Sequence, residues 1–173
     1  MSVAVPAVPS PSSVAAAIAV YRAAGERGDA DAVSVLLAPD VTLHSPLTAN
    51  ANVRFEGRDE VTEMHRDIFE VFEGLTTDEP LVLHDRRAFR FRARVRGVEF
   101  DAMMLMAFDE HGQIAELTIF ARPLPATAAL FAALPPRVSA RRRGPAMGAV
   151  VAVVARPIAF ALRTCDRLVP RFL

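Results

Sequence analysis

From Ser13 the chain repeats apolar residues at helical spacing, with Val14, Ala17, Ile18, Tyr21 and Ala24 on one face. Ser12 or Ser13 stands ready as N-cap and Gly28 as a stop. Asp29 or Asp31 can cap a second, short helix whose apolar face is Val33, Leu36 and Leu37, ended by Pro39. Val41, Leu43 and Ser45 then alternate with Thr42 and His44, which is strand periodicity. It turns Ser45 inward and His44 outward. A polar loop and a short strand from Val53 to Phe55 lead to a third helix after Gly57, with Asp59 and Glu60 in its first turn. Its apolar stripe is Val61, Met64, His65, Ile68, Phe69 and Phe72, so one histidine faces the core.

After Gly74 the period becomes two. Leu81 to His84 predicts one strand and Ala88 to Val95 another, in which Phe89, Phe91, Ala93 and Val95 share a face and Arg90, Arg92, Arg94 and Arg96 the opposite one. A tight hairpin at Arg96 and Gly97 pairs Val95 with Val98, Arg94 with Glu99 and Arg92 with Asp101. The same register sets Phe100, Ala102, Met104, Met106 and Phe108 against the phenylalanine face, and a slip of one residue would spoil both matches. A turn at Asp109 to Gly112 returns the chain as Ile114 to Arg122; Pro123 and Pro125 end the sheet and Ala126 to Leu134 resumes helix. Helices followed by a long antiparallel meander predict an α+β fold, with the helices on one face of a curved sheet.

Length bounds the rest. At 173 residues the chain is near one domain's worth, and 52% hydrophobic with 23% charged residues is globular composition. Twenty basic and twenty acidic residues cancel, so no global field draws nucleic acid. The balance is uneven along the chain: every basic residue is arginine, and from Pro135 onward eight arginines face one acid, Asp166. Residues 1–134 carry twelve arginines against nineteen acids. A single cysteine, Cys165, offers neither a disulfide framework nor a thiolate metal site, and the Pro- and Ser-rich start lacks the charged and apolar regions of a signal peptide. The expectation is a cytoplasmic protein, with a peripheral membrane position as the alternative.

The order of elements resembles the nuclear transport factor two-like superfamily, in its SnoaL-like and ketosteroid-isomerase-like branch. The resemblance is carried by YRAAGERGDAD at Tyr21 to Asp31, LAPDVTLHSP at Leu37 to Pro46, FEGRDEV at Phe55 to Val61 and FDEHGQIAELTIFARPLP at Phe108 to Pro125, in the family's order and spacing. It implies a cone-shaped α+β barrel, a curved antiparallel sheet wrapped around N-terminal helices and enclosing an apolar pocket, with the outer sheet face in a homodimer. The expected organisation is a lead-in at 1–12, the pocket domain at 13–134 and a basic, amphipathic helical extension at 135–173.

In ketosteroid isomerases a carboxylate base works with two donors to an enolate oxygen, a tyrosine and a protonated acid. Position by position, the resemblance puts Tyr21 at the donor tyrosine, Ser45 at the base and Met104 at the acid. His65 falls where a supporting tyrosine bonds the donor, so a Tyr21–His65 contact is implied. Both carboxylates are thus replaced. If the site is catalytic, Tyr21 donates to a developing oxyanion and His65 is the base, giving an isomerase- or cyclase-like lyase or hydrolase without metal. The plainer reading is a buried aromatic satisfied by a neutral histidine. Ser45, Met104, Phe89, Phe91, Phe100 and Met106 are the candidate ligand-binding residues for a hydrophobic, polycyclic or oxygenated small molecule, although ordinary core packing would also place them inward.

No metal or cofactor is expected, since no HxxxH pattern or Gly-rich phosphate loop appears. The arginine stripe reads as a solvated or dimer-forming sheet face rather than a nucleic-acid surface. In the tail, Gly144 to Ala155 is uncharged for twelve residues, too few to span a bilayer before Arg156 and Pro157. Met147, Val151, Val154, Ile158, Ala161, Cys165 and Leu168 form an expected buried stripe, kinked at Pro157. That stripe would cover the acidic body, a partner, or an anionic membrane surface through residues 141–173. The second functional reading is therefore a non-catalytic binding or scaffold protein with a docking tail.

Overall fold

A period of 3.6 in three segments of the first seventy residues, interrupted by a strand around Val41 to Leu43, and a period of 2 in the next fifty divide the molecule into a helical layer and a sheet. The computed structural model describes residues 11–47, 55–83 and 85–168. Helices α1 (Pro11–Arg27) and α2 (Ala30–Ser34) precede β1 (Leu37–His44) and β2 (Phe55–Glu56). Helix α3 (Arg58–Val71) leads into β3 (Glu73–Thr77), β4 (Leu81–Leu83), β5 (Arg86–Val95), β6 (Val98–Phe108) and β7 (Ile114–Arg122). Two helices follow, α4 (Leu124–Arg143) and α5 (Pro145–Leu168). The sheet runs β2-β1-β7-β6-β5-β3, with β4 also on β5. Among the described residues β1 and β7 pair in parallel and the other pairings are antiparallel.

The β5–β6 hairpin takes the expected register, Val95 opposite Val98 and Phe89 opposite Met104. Arg96 (φ 52°) and Gly97 (φ 72°) both occupy the left-handed region, as a two-residue turn between right-twisted strands requires. The ion pairs of this hairpin differ from direct cross-strand matching. Asp101 is bound diagonally by Arg90 (Nε–Oδ1 2.6 Å) and directly across by Arg122 of β7, while Arg92 turns away to Asp78 (2.7 Å). Long arginines reach diagonal partners as readily as opposite ones, so backbone register leaves the choice open.

Three local expectations are corrected. Leu37 belongs to β1, not to the second helix, because Leu36 and Leu37 meet the start of β7: Ile114 donates its N–H to the Leu36 carbonyl (2.8 Å) and Leu37 lies opposite Ile114. Pro39 does not end an element but sits where the β1–β7 register shifts, a place where a missing N–H breaks no ladder bond. Strand β3 was not expected at all; its residues, Glu73 to Thr77, are mostly polar because it lies at the sheet edge. Val53, in the expected short strand, and His84 lie outside the described residues. So does most of the expected lead-in, residues 1–10; helix α1 begins at Pro11.

Helix α4 extends past Leu134, through Pro135 and Pro136, to Arg143. Its first half buries Ala126, Ala129, Leu130, Ala133 and Leu134 in the main core. Its second half binds the acidic face of α3: Arg137 pairs with Glu70, Arg141 with Asp67 and Glu63, and Arg142 with Glu60. Acids at 60, 63, 67 and 70 recur every three or four residues and so form one stripe on α3. The first arginines of the tail therefore neutralise part of the acidic body.

Helix α5 packs on α4 through small residues. Ala159 and Leu162 meet Ala128 and Ala132. A Cβ on Gly148 would stand 2.6 Å from the Ala140 Cβ and 2.8 Å from the Pro136 carbonyl, so only glycine permits this approach. Among the described residues of α5, the buried ones are Gly148, Ala155 and Ala159. Of the expected stripe, Val151 is half-buried, whereas Met147, Val154, Ile158 and Ala161 are exposed; the Cys165 and Leu168 side chains lie outside the described residues. Val150, Val153 (72% exposed) and Phe160 (74%) extend this open apolar face. The helix continues through Arg156 and Pro157, so the twelve-residue limit does not hold: Pro145–Leu162 is long and apolar enough to cross a membrane by length and composition.

Candidate active site and ligand cavities

Helices α1 and α3 each present a core-facing stripe, and these stripes carry Tyr21 and His65. The Tyr21 hydroxyl lies 2.7 Å from His65 Nε2, and His65 Nδ1 lies 2.7 Å from the Val61 carbonyl one turn earlier on α3. A carbonyl only accepts, so Nδ1 carries the proton and donates to Val61. Nε2 is left as an acceptor, and Tyr21 donates to it. The two rings stand edge to face at 88°. Phe89 and Phe69 complete the aromatic surround, at 6.1 Å from Tyr21 and 5.7 Å from His65.

Burial sets the charge state. With His65 only 3% exposed, desolvation pulls its pKa down to about 4, against a smaller upward effect from Val61. Burial likewise pushes the Tyr21 hydroxyl upward, so it stays protonated. The pair is neutral at pH 7 and each member satisfies the other.

Tyr21, His65, Met104, Phe89 and Phe91 line one cavity of about 40 Å³, together with Ile68, Phe69, Phe72 and Leu75. That is more than the roughly 10–15 Å³ that admits one water and well below the about 300 Å³ at which small-ligand sites begin. Phe100 and Met106 are packed elsewhere in the core, 1% and 0% exposed, and do not reach it. Phe72, Phe91 and Phe100 stack at 5.0 to 6.0 Å, which shows how the phenylalanine face fills the cone with its own rings. Across the α1–β3 side runs a polar latch. Arg22 donates to Thr77 Oγ1 (3.1 Å) and pairs with Glu79 (3.1 Å), while Glu26 accepts from the Thr77 N–H (2.9 Å) and hydroxyl (2.6 Å).

Ser45 is not in that cavity. Its Oγ accepts the Leu47 N–H (3.2 Å), and it lines a second, larger groove of about 350 Å³ walled by Phe55, Met64, Phe131, Leu134, Val138, Arg142 and Arg143. His44 faces outward and meets Glu116 (3.3 Å), and His111 is exposed in the turn before β7. Among the described residues no three histidine, cysteine or acidic side chains converge as metal ligands. Leu75 and Thr77 had no sequence signal, because β3 is too short and polar for a readable period. Arg142 and Met147 were visible as tail residues but not as walls of a groove.

A family model for the SnoaL-like domain matches residues 17–117. Among solved structures, the chain is similar to a steroid delta-isomerase from Pseudomonas aeruginosa, with 23% identity and a TM-score of 0.69 over 79% of this chain and 98% of that one. An uncharacterised protein from Silicibacter pomeroyi DSS-3 with a cystatin-like fold aligns at 24% identity and TM-score 0.68, over 73% and 88% of the two chains. A candidate SnoaL-like polyketide cyclase from Jannaschia sp. CCS1 aligns at 17% and 0.53, over 72% and 94%. At these identities the likeness establishes the fold. No protein of curated description matches the sequence.

Proposed function

Because the chain belongs to the SnoaL-like domain family, whose model covers more than half of it, we propose that it binds a hydrophobic small molecule in the cone, against the Tyr21–His65 pair. The carrying observation is that pair itself: one neutral, buried hydrogen-bonding unit in a mostly apolar cavity whose other polar lining residues are Arg22 and Thr77. At about 40 Å³ the cavity is too small for a polycyclic ligand. Entry therefore requires the β3 edge to yield, and β3 suits this: its pairing with β5 is interrupted between Glu73 and Thr76, and Leu75 and Thr77 form part of the cavity wall.

Binding is better supported than turnover. For proton transfer, a ligand oxygen would first have to take over the hydrogen bond that the Tyr21 hydroxyl donates and so release His65 Nε2 as base. A base with a pKa of about 4 removes only acidic protons at useful rates. A 3-ketosteroid, suggested by the isomerase neighbour, is a fitting probe. Its carbonyl would accept from Tyr21, and Tyr21→Phe is expected to weaken its binding about two- to tenfold, the worth of one neutral hydrogen bond. Unchanged affinity in that variant refutes the assignment.

Two contacts belong to the same reading. On the outer sheet face Met103 lies opposite Phe120, both exposed and flanked by the Arg90–Asp101–Arg122 cluster, and this patch is the proposed homodimer surface. The open apolar face of α5, with Arg143 and Arg156 exposed beside it, is the proposed contact with an anionic membrane surface. Lying in the interface is favoured over spanning, since spanning would strip α5 from its Gly148–Ala159 seat on α4. The corresponding location is cytoplasmic, peripheral to the membrane.

A further inference from the structure

The larger groove has a directional lining. On α4, Phe131, Leu134, Val138, Ser139, Arg142 and Arg143 recur at spacings of one, three or four, and all line it. Along this helix face the character changes from aromatic and aliphatic to cationic over twelve residues, about 18 Å at 1.5 Å per residue. Met64 and Phe55 from the body and Met147 and Val151 from α5 complete an apolar trough. A volume of about 350 Å³ falls in the range of small-ligand sites, about 300 to 1,000 Å³.

The two arginines at the polar end are not equivalent. Arg142 is occupied: it pairs with Glu60 and lies 5.3 Å over the Phe55 ring. Arg143 makes no ion pair among the described residues. Two residues on, α5 begins at Pro145, so the positive end of a 24-residue helix follows Arg143 in the chain at this end of the groove. An anion with a long apolar tail matches this arrangement at both ends, whereas a compact polar anion would leave the trough unfilled.

We propose that the groove between the α4–α5 hairpin and the body binds a fatty-acid anion, its carboxylate forked on Arg143 and its chain lying along α4 toward Phe131. A guanidinium meets a carboxylate through two parallel hydrogen bonds, which gives the head its place. The site is separate from the Tyr21–His65 cavity, shares no lining residue with it, and stands or falls independently of ligand binding there.

The methionines report on it separately, since Met64 and Met147 line the groove, Met104 lines the inner cavity and Met103 lies on the outer sheet. Full-length protein carrying ¹³C-methyl methionine is titrated with sodium dodecanoate below its micellar concentration and followed by NMR. The expected result is saturable movement of the Met64 and Met147 methyl signals together, with Met104 unmoved. Arg143→Gln, an exposed substitution, is expected to raise Kd about tenfold, and dodecanol to bind the unaltered protein about tenfold more weakly than dodecanoate. Equal affinity in Arg143→Gln overturns the proposal. So does movement of Met147 alone, which would mean adsorption on the open face of α5, movement of Met104 alone, which would put the chain in the inner cavity, or no movement at all.

Discussion

Replacing His65 by asparagine should flatten the protein's acid sensitivity. Above about pH 6.5 the histidine is neutral both folded and unfolded. As the pH falls from 6.5, the unfolded chain takes up a proton that the folded chain refuses until about pH 4. The unfolded state binds more protons in that window, so stability decreases as pH falls through it and the loss is complete below about 4. The gap between 6.5 and about 4 amounts to on the order of 3 kcal/mol, a sizeable part of a domain's stability. Asparagine can keep the bond to the Val61 carbonyl but leaves the Tyr21 hydroxyl without its acceptor, so the variant starts about 1–3 kcal/mol less stable at pH 7. The assay is urea unfolding by circular dichroism at pH 7, 6, 5 and 4, suited to a chain with no tryptophan and one tyrosine. Carboxylate effects are common to both proteins and cancel in the difference. The gap between the two stability curves should close toward pH 4; parallel curves would refute the neutral buried pair.

Other substitutions probe the frame. Arg141→Ala removes both pairs to α3, one of them to the poorly exposed Asp67, and is expected to cost about 1 kcal/mol in thermal or urea unfolding. Gly148→Leu should open the α4–α5 hairpin while the sheet and α1–α3 stay folded, seen as proteolysis near Gly144 with unchanged cleavage of the body. Arg96→Asn, which relieves a bulky residue at φ 52°, should stabilise by about 0.5–1 kcal/mol.

How much of this was readable beforehand depends on what each feature rests on. The β5–β6 register was legible because two constraints, an apolar face and a charge ladder, agreed on one alignment. Tyr21 and His65 were each placed inward by helical spacing, while their contact came from family resemblance; the structure brings them within 2.7 Å. Cavity size was not legible, since it depends on how Phe72, Phe91 and Phe100 close on one another, which no periodicity records. The face of α5 was misread for a related reason. A helix pair that approaches closely buries glycine and alanine, here Gly148, Ala155 and Ala159, and leaves the larger Val153, Val154 and Phe160 outside. A pattern weighted toward large apolar residues picks the wrong side. The arginines at 137, 141 and 142 were visible as charge, but their acidic partners on α3 emerge only when α4 is laid across it.

Native mass spectrometry of the gently purified full-length protein, before and after incubation with a 3-ketosteroid, tests most directly whether the cone takes a hydrophobic ligand. The account predicts a dimeric mass carrying a small-molecule adduct, either co-purified or acquired on incubation, and a weaker adduct in Tyr21→Phe. A bare protein under both conditions, or an adduct equally strong in Tyr21→Phe, would contradict it.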